Sequence, residues 1–438
     1  MSKTGMPRVL GLPDLVLLNT ASVIGIRNLS FAAQTGFGSI ALWITGGLLF
    51  LVPCALVVGG LSRRSPNEGG LYVWTRDAFG PWHGFLCGAC YILSVLFLLP
   101  TILLSGLSLA AAAFGFSQQK WFLVTLCLFT LWSVLAASYV GMAVGKWVSD
   151  IGGFATVSVG LLLIIAGATV WRRFGPATAG SFLPPFEWDK LNFWSQIALA
   201  YTGLELGSIM AEEIRNPERT IPRAAWISGI AVAGFYIGGT LGLLALVPAR
   251  NVDVLFGLVQ GGQVAGQRLA WPGFPILLAL LIIASAAGAF GSWLSGCARL
   301  PFVIGLDEYL PPSLARLHPR WNTPYLALLS EGAVCTFFLL AMTVGENLRS
   351  AYQLLVDLTT ITSMLPFAYL FAAGWNGRLR ISAACGFTVT VLAIGLALIP
   401  PQGSSPLRYE AKLIGGFAAV ICAASLNFLY ARNRRQKV

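Results

Sequence analysis

Charge is scarce in this sequence of 438 residues. Only 10% of them are Asp, Glu, Lys or Arg, against about 25% in soluble domains. That deficit excludes a water-soluble fold. Histidine is scarcer still: His83 and His318 are the two in the chain, both at the ends of apolar segments, where solvation is expected. A membrane enzyme would need a nucleophile–base set or a metal cluster within its spans, and no histidine is there to build one. The eight cysteines fall in apolar segments, where cysteine acts as a small packing residue. Cys87 and Cys90 form a CxxC, but no second pair exists, so neither a metal nor a cofactor is expected. Strand-like alternation is also missing, which excludes a β-barrel. The polar N-terminus lacks a cleavage site, so the first apolar run reads as a retained span.

What the chain has is apolar length. Hydrophobic residues make up 56% of it, and mean hydropathy is +0.76. A helical span needs about 20 apolar residues. Twelve segments qualify: 14–34, 39–61, 82–113, 121–141, 148–171, 191–211, 223–247, 273–299, 324–343, 350–374, 381–399 and 412–430. The fold class is therefore an all-α polytopic membrane protein with twelve transmembrane helices. The longest outside segment, 251–268, carries a Val/Leu/Phe pattern that predicts a short helix on the outer surface.

Lys and Arg set the orientation. With the N-terminus inside, eighteen fall on inside segments and nine outside. Arg299 and Lys146 are counted among the eighteen. Both termini, 1–13 and 431–438, are then expected in the cytoplasm, and the site of action is the cell membrane. The net charge of +11 is spread over short loops and forms no nucleic-acid surface; the expected partners are membrane lipid and a small molecule.

One basic residue is left over. Arg27 lies inside the first apolar segment, where a charge costs about 2.5–3.5 kcal/mol on insertion scales. It follows Gly25 and precedes Asn28. In the sixth segment, "ALAYTGLELGSIMAEE" places Gly203, Glu205 and Gly207 near mid-span. Glycine beside an ionisable residue at that depth predicts a helix that unwinds, which lipid tolerates only where the backbone is buried or lines a cavity. Segments one and six are five spans apart, so they enter from opposite sides. Two such interruptions in matching positions are the sequence sign of an inverted-repeat transporter. Unwinding frees N–H groups suited to a carboxylate and C=O groups suited to an ammonium or small cation, so an amino acid zwitterion fits both. The alternative is close packing of small residues. A channel would need like-charged rings or a filter motif, and neither is present.

Three stretches resemble the amino acid–polyamine–organocation family of secondary transporters: "SPNEGGLYVWTRDAFGP" (65–81), "YTGLELGSIMAEEIRNPERTIPRA" (201–224) and "ARLPFVIGLDEYLPPSLARLHPRWNTPYLAL" (298–328). The second carries the sixth-helix signature of that family. The resemblance implies a five-plus-five inverted repeat (14–173 and 191–374), two further helices (375–430) and alternating access. It also implies a substrate held at the two breaks, by Ser22, Val23, Ile24, Gly25, Ile26 and Arg27 in one and Tyr201, Thr202, Gly203 and Glu205 in the other. Glu205 occupies the position that serves gating or proton sensing in some members. One stretch departs: the first break of the family reads G-S-G-x-x-x-x-P, and here it is "VIGIRNLS" (23–30). A helix-five lysine that couples protons in some members is absent from 151–171.

The expected activity is secondary active transport of an amino acid by symport or exchange, with a proton or sodium as possible coupling ion. The alternative is an amine/polyamine or acidic amino acid antiporter. Three roles compete for Arg27: a gate with Asp357, as a similarly placed Arg–Asp pair forms in related sodium-coupled transporters; a bidentate grip on a substrate carboxylate; and a pair with Glu205. Asp14 reads as a solvated cap, and Glu331 as a buried structural acid held protonated by desolvation. Ser292 and Ser295 read as packing residues or sodium ligands.

Overall fold

The computed structural model describes residues 5–116, 119–175, 177, 178, 180–182, 197, 200–254, 256–344, 348–375, 377–397 and 406–435. These are almost wholly helical; the one β-type pairing among them is a parallel bridge between Leu10 and Ile214. Sixteen α-helices follow in order: α1 (Leu12–Val23), α2 (Arg27–Ala33), α3 (Gly38–Arg64), α4 (Leu71–Phe79), α5 (Pro81–Ala113), α6 (Lys120–Tyr139), α7 (Met142–Phe174), α8 (Leu206–Ile209), α9 (Pro217–Leu246), α10 (Gly257–Arg268), α11 (Phe274–Cys297), α12 (Arg299–Leu306), α13 (Tyr325–Val344), α14 (Leu348–Ala373), α15 (Arg380–Ala397) and α16 (Pro406–Arg435).

Nine of the described helical stretches are long and apolar enough to span a bilayer, α11 and α12 counting as one; α1 with α2, bent by 49°, makes a tenth. Of the twelve expected spans, 191–211 is described at 197 and over 200–211. The segment 350–374 corresponds to α14, of which Leu358–Ala373 is the described apolar part.

Local chemistry sets several helix starts. Asp14 Oδ2 accepts the Gly11 N–H at 2.7 Å, and Pro13 lies in the first turn of α1. Asp14 is more than the solvated cap expected, because Lys146 Nζ on α7 lies 2.9 Å from its Oδ1. Proline also opens α5 and α9. A π-helical turn, Gly47–Leu51, interrupts α3 beside Tyr201.

Helix α7 stands at the centre, packed on α11, α9 and α1. Small residues make each crossing close. Gly152 meets the backbone of Gly288, Gly153 meets the Leu17 carbonyl, and Gly167 meets Gly242. Without a hydrophobic drive between helices in lipid, such backbone approach supplies the packing energy. The same helix exposes Ile151, Phe154, Leu161 and Ile165, a stripe that lipid covers. The outer-surface helix predicted at 251–268 is α10, which buries Leu258, Val259, Gly261, Gly262 and Ala265 against the bundle. The last helix, α16, is the least buried of the spans.

A Cβ at position 288 would collide with the Gly152 backbone, whereas one at Gly395 meets nothing within 4 Å. Gly288→Ala is therefore expected to cost about 1–3 kcal/mol by overpacking and to lower the melting temperature of the purified protein. Gly395→Ala should leave it unchanged. Equal melting temperatures for the two would show that the crossing yields freely.

Candidate functional site

The first helix breaks where Gly25 and Arg27 suggested. Helix α1 ends at Val23, Ile24 is extended (φ −77°, ψ 102°), and α2 starts at Arg27. Gly25 does not need a left-handed backbone. Its reason is space: a Cβ would lie 2.8 Å from Asn28 Nδ2. In the sixth segment the backbone runs as turns over 200–205, and Gly203 there does need glycine, with φ +121° and with Val23 and Trp293 side chains within 3.3 Å of any Cβ. Only one helical turn, α8, follows before a 3₁₀ turn at Ala211–Glu213.

The two breaks face each other. Ser22 Oγ lies 3.5 Å from the Gly203 carbonyl, and Trp293 on α11 donates its indole N–H to the Ser22 carbonyl at 2.9 Å. Glu205 is fully buried. Its Oε1 accepts from the Tyr91 hydroxyl and its Oε2 from the Gly203 N–H, both at 2.9 Å. Tyr236 on α9 reaches both breaks. Its hydroxyl accepts the Gly25 N–H at 3.0 Å and lies 3.1 Å from the carbonyls of Val23 and Ala200. Asn28 Nδ2 also points at it. Trp43 stacks flat on its ring at 4.2 Å.

Of the residues expected at the site, Ser22, Val23, Ile24, Gly25, Ile26, Gly203 and Glu205 lie at or beside the breaks. Arg27 opens α2, and Thr202 sits half-buried in the turn before Gly203. Tyr201 is buried, and its hydroxyl donates to the Trp43 carbonyl at 2.9 Å. The Asp357 side chain lies outside the described residues. Ser292 bonds within its own helix, and Ser295 bonds Ser138 at 3.0 Å. His83 and His318 are not simply solvated. His83 Nδ1 is 2.8 Å from the Tyr369 hydroxyl, and His318 stacks on Trp321. Glu331 is buried, as expected, with the Cys297 thiol beside its carboxyl.

A second constellation closes the end that carries the N-terminus. The Leu10 N–H donates to the Glu213 carbonyl, and the Arg215 N–H to that of Leu10. Gly69, in the turn before α4, donates its N–H to the Ile209 carbonyl at 2.9 Å. Tyr72 and Arg76 on α4 both reach Asp307 Oδ2. Arg299 was counted as a loop charge, but it is 1% exposed, its Nη2 shared between both oxygens of Glu213 at 2.9 and 3.0 Å and its Nη1 bonded to the Ser295 carbonyl. Glu68 is 3% exposed. Its Oε2 accepts the Glu212 N–H at 2.8 Å, and its Oε1 has no partner among the described residues. Burial, and next the neighbouring Glu213 charge, push the Glu68 carboxyl well above the usual range; the Glu212 N–H and Arg299 offset this only in part.

The profile of the amino acid permease family matches residues 10–399. The chain belongs to this family. An uncharacterized transporter of Legionella pneumophila is 26% identical to the permease, with 98% of each chain covered. A probable agmatine/putrescine antiporter of Lactococcus lactis is 23% identical over 84% of each. Among solved structures, a manganese transporter of Eremococcus coleocola superposes with a TM-score of 0.63 over 99% of each chain, at 11% identity, and so shares the fold. The permease is a multi-pass membrane transport protein, not an enzyme.

The buried ion pair yields a test of the closure. Arg299→Met strands Glu213 in the interior and is expected to destabilise the permease by about 3–5 kcal/mol. Adding Glu213→Gln should restore most of the lost melting temperature. If the double variant is no better than Arg299→Met, the pair is not what holds this end.

Proposed function

We propose that the permease moves an amino acid across the cytoplasmic membrane by alternating access, through symport or exchange, with the substrate held between the two breaks. In this reading 14–173 and 191–374 are inverted repeats, 375–430 adds two helices, and both termini are cytoplasmic. The observation that carries the reading is the meeting of two unwound helices around the buried carboxyl of Glu205. Backbone polar groups at mid-membrane are tolerated where they line a site, and a carboxyl there offers a group for an ammonium or a proton. The similarity to an agmatine/putrescine antiporter favours exchange of an amine as the second reading.

Glu205 has the gating and coupling role. It bridges α5, through Tyr91, to the sixth-helix break, so a change in its charge state acts on both. Uptake of a uniformly ¹⁴C-labelled mixture of the twenty amino acids into proteoliposomes provides the test. Glu205→Gln is expected to lose either uptake or its dependence on pH. Normal, pH-responsive uptake would remove Glu205 from the mechanism. A failure of wild type to take up the mixture, with uptake of labelled agmatine or putrescine, would move the assignment to the second reading.

Arg27 opens the half-helix beyond the first break and serves as an outer gate with Asp357. Arg27→Gln and Asp357→Asn should then impair uptake to a similar degree, and the double variant should be no worse than either. Additive defects would break the pairing.

A further inference from the structure

The mechanism above does not use Glu68, yet this carboxyl is 3% exposed and one of its oxygens has no hydrogen-bond partner among the described residues. It sits where three elements meet: the 65–70 turn, the 3₁₀ turn Ala211–Glu213 and the α11–α12 junction. The charged groups facing it are Glu212 and Glu213 from the second and Arg299 from the third. Glu331 on α13 lies beyond, interacting with Arg299. The charge of Arg299 is matched by Glu213, whose two oxygens its Nη2 contacts, while its Nε has no hydrogen-bond partner among the described residues; an ionised Glu68 beside Glu212 and Glu213 would leave this cluster with an excess of negative charge in the interior. A lone buried carboxylate is costly enough that such a group takes up a proton instead. The same turn carries the Gly69–Ile209 hydrogen bond that holds the end shut.

We propose that Glu68 is a proton-binding site that makes this closure pH-sensitive. It holds a proton while the junction is closed and releases it to water on that side when the junction opens. This rests on the orientation given under Proposed function, which makes the side cytoplasmic. The sign follows from linkage: the closed state binds one more proton than the open state, so closure is favoured in acid. It weakens by up to tenfold per pH unit above the ordinary carboxyl value of about 4.3. Opening releases the proton to, and closing retakes it from, the same compartment, so no path across the membrane is required.

The test needs no substrate. In a variant without native cysteines, Ala211→Cys places a thiol at a position 1% exposed in the closed junction. Its labelling by a charged methanethiosulfonate is measured in purified full-length protein from pH 5 to 8, relative to a cysteine at position 313, exposed in the loop turn Pro312–Ala315. The normalised rate is expected to rise several-fold per pH unit. With Glu68→Gln, a neutral side chain of the same shape, it should stay low and flat. Melting temperatures over the same range provide a second reading: wild type should fall with pH relative to Glu68→Gln. A pH-independent rate, or parallel curves for the two proteins, would overturn the proposal. That result would leave the transport reading standing, because uptake into proteoliposomes is a separate measurement.

Discussion

A bilayer core offers no water to an unpaired peptide group, and each one left bare costs several kcal/mol. The permease unwinds two helices in that medium, and the rest of its interior is arranged around the consequence. The Gly25 N–H goes to the Tyr236 hydroxyl, the Ser22 carbonyl to the Trp293 indole, and the Gly203 N–H to Glu205. Each partner sits on a different intact helix or, for Glu205, is itself tied to one through Tyr91. Side chains do here what the next turn of helix would otherwise do. The polar groups released by unwinding are therefore held, not bare.

That arrangement requires rigid neighbours at fixed distance. Helix α7 supplies them by backbone-close contact with α1, α9 and α11 through Gly153, Gly167 and Gly152. The helices bearing Tyr236 and Trp293 are thus seated on the same scaffold as the first half of the broken helix. Aromatic stacking adds to this: Trp43 lies flat on Tyr236 and its indole N–H is fixed by Thr240 at 3.0 Å. A phenol locked between a ring and four polar atoms has little freedom to serve any other conformation.

The breaks were legible because they violate a rule visible in one dimension. Glycine beside Arg27, and glycines flanking Glu205, stand out in a chain with 10% charge. The partners were not legible. Tyr91, Tyr236 and Trp293 are amphipathic residues in a sequence that is 12% aromatic, and nothing local separates one that bonds a broken backbone from one that only packs. Arg299 was misread for a different reason. Orientation counting treats every Arg between spans as solvated, but α12 continues α11 with hardly a break, and so carries the guanidinium inward to Glu213. Glu68 was hidden inside a motif recognised for its glycines. Its burial follows from Gly69 bonding Ile209, a contact between residues 140 positions apart.

The two constellations are joined by very little chain. Glu205, at the break, accepts the Ser208 N–H and hydroxyl on its carbonyl at 2.8 and 2.6 Å. The next residue, Ile209, accepts from Gly69 in the closing turn. Ser208 also lies against Gly70, whose left-handed backbone and lack of a side chain leave no slack between them. Four residues of α8 thus connect the carboxyl at the centre to the closure at the end. An element this short cannot bend independently at its two ends. Any change at Glu205 that shifts the sixth-helix break must move Ile209 against the 65–70 turn, and loosening that turn must act back on the break with the same free energy. One helical turn, with no loop to absorb motion, is the whole of that link.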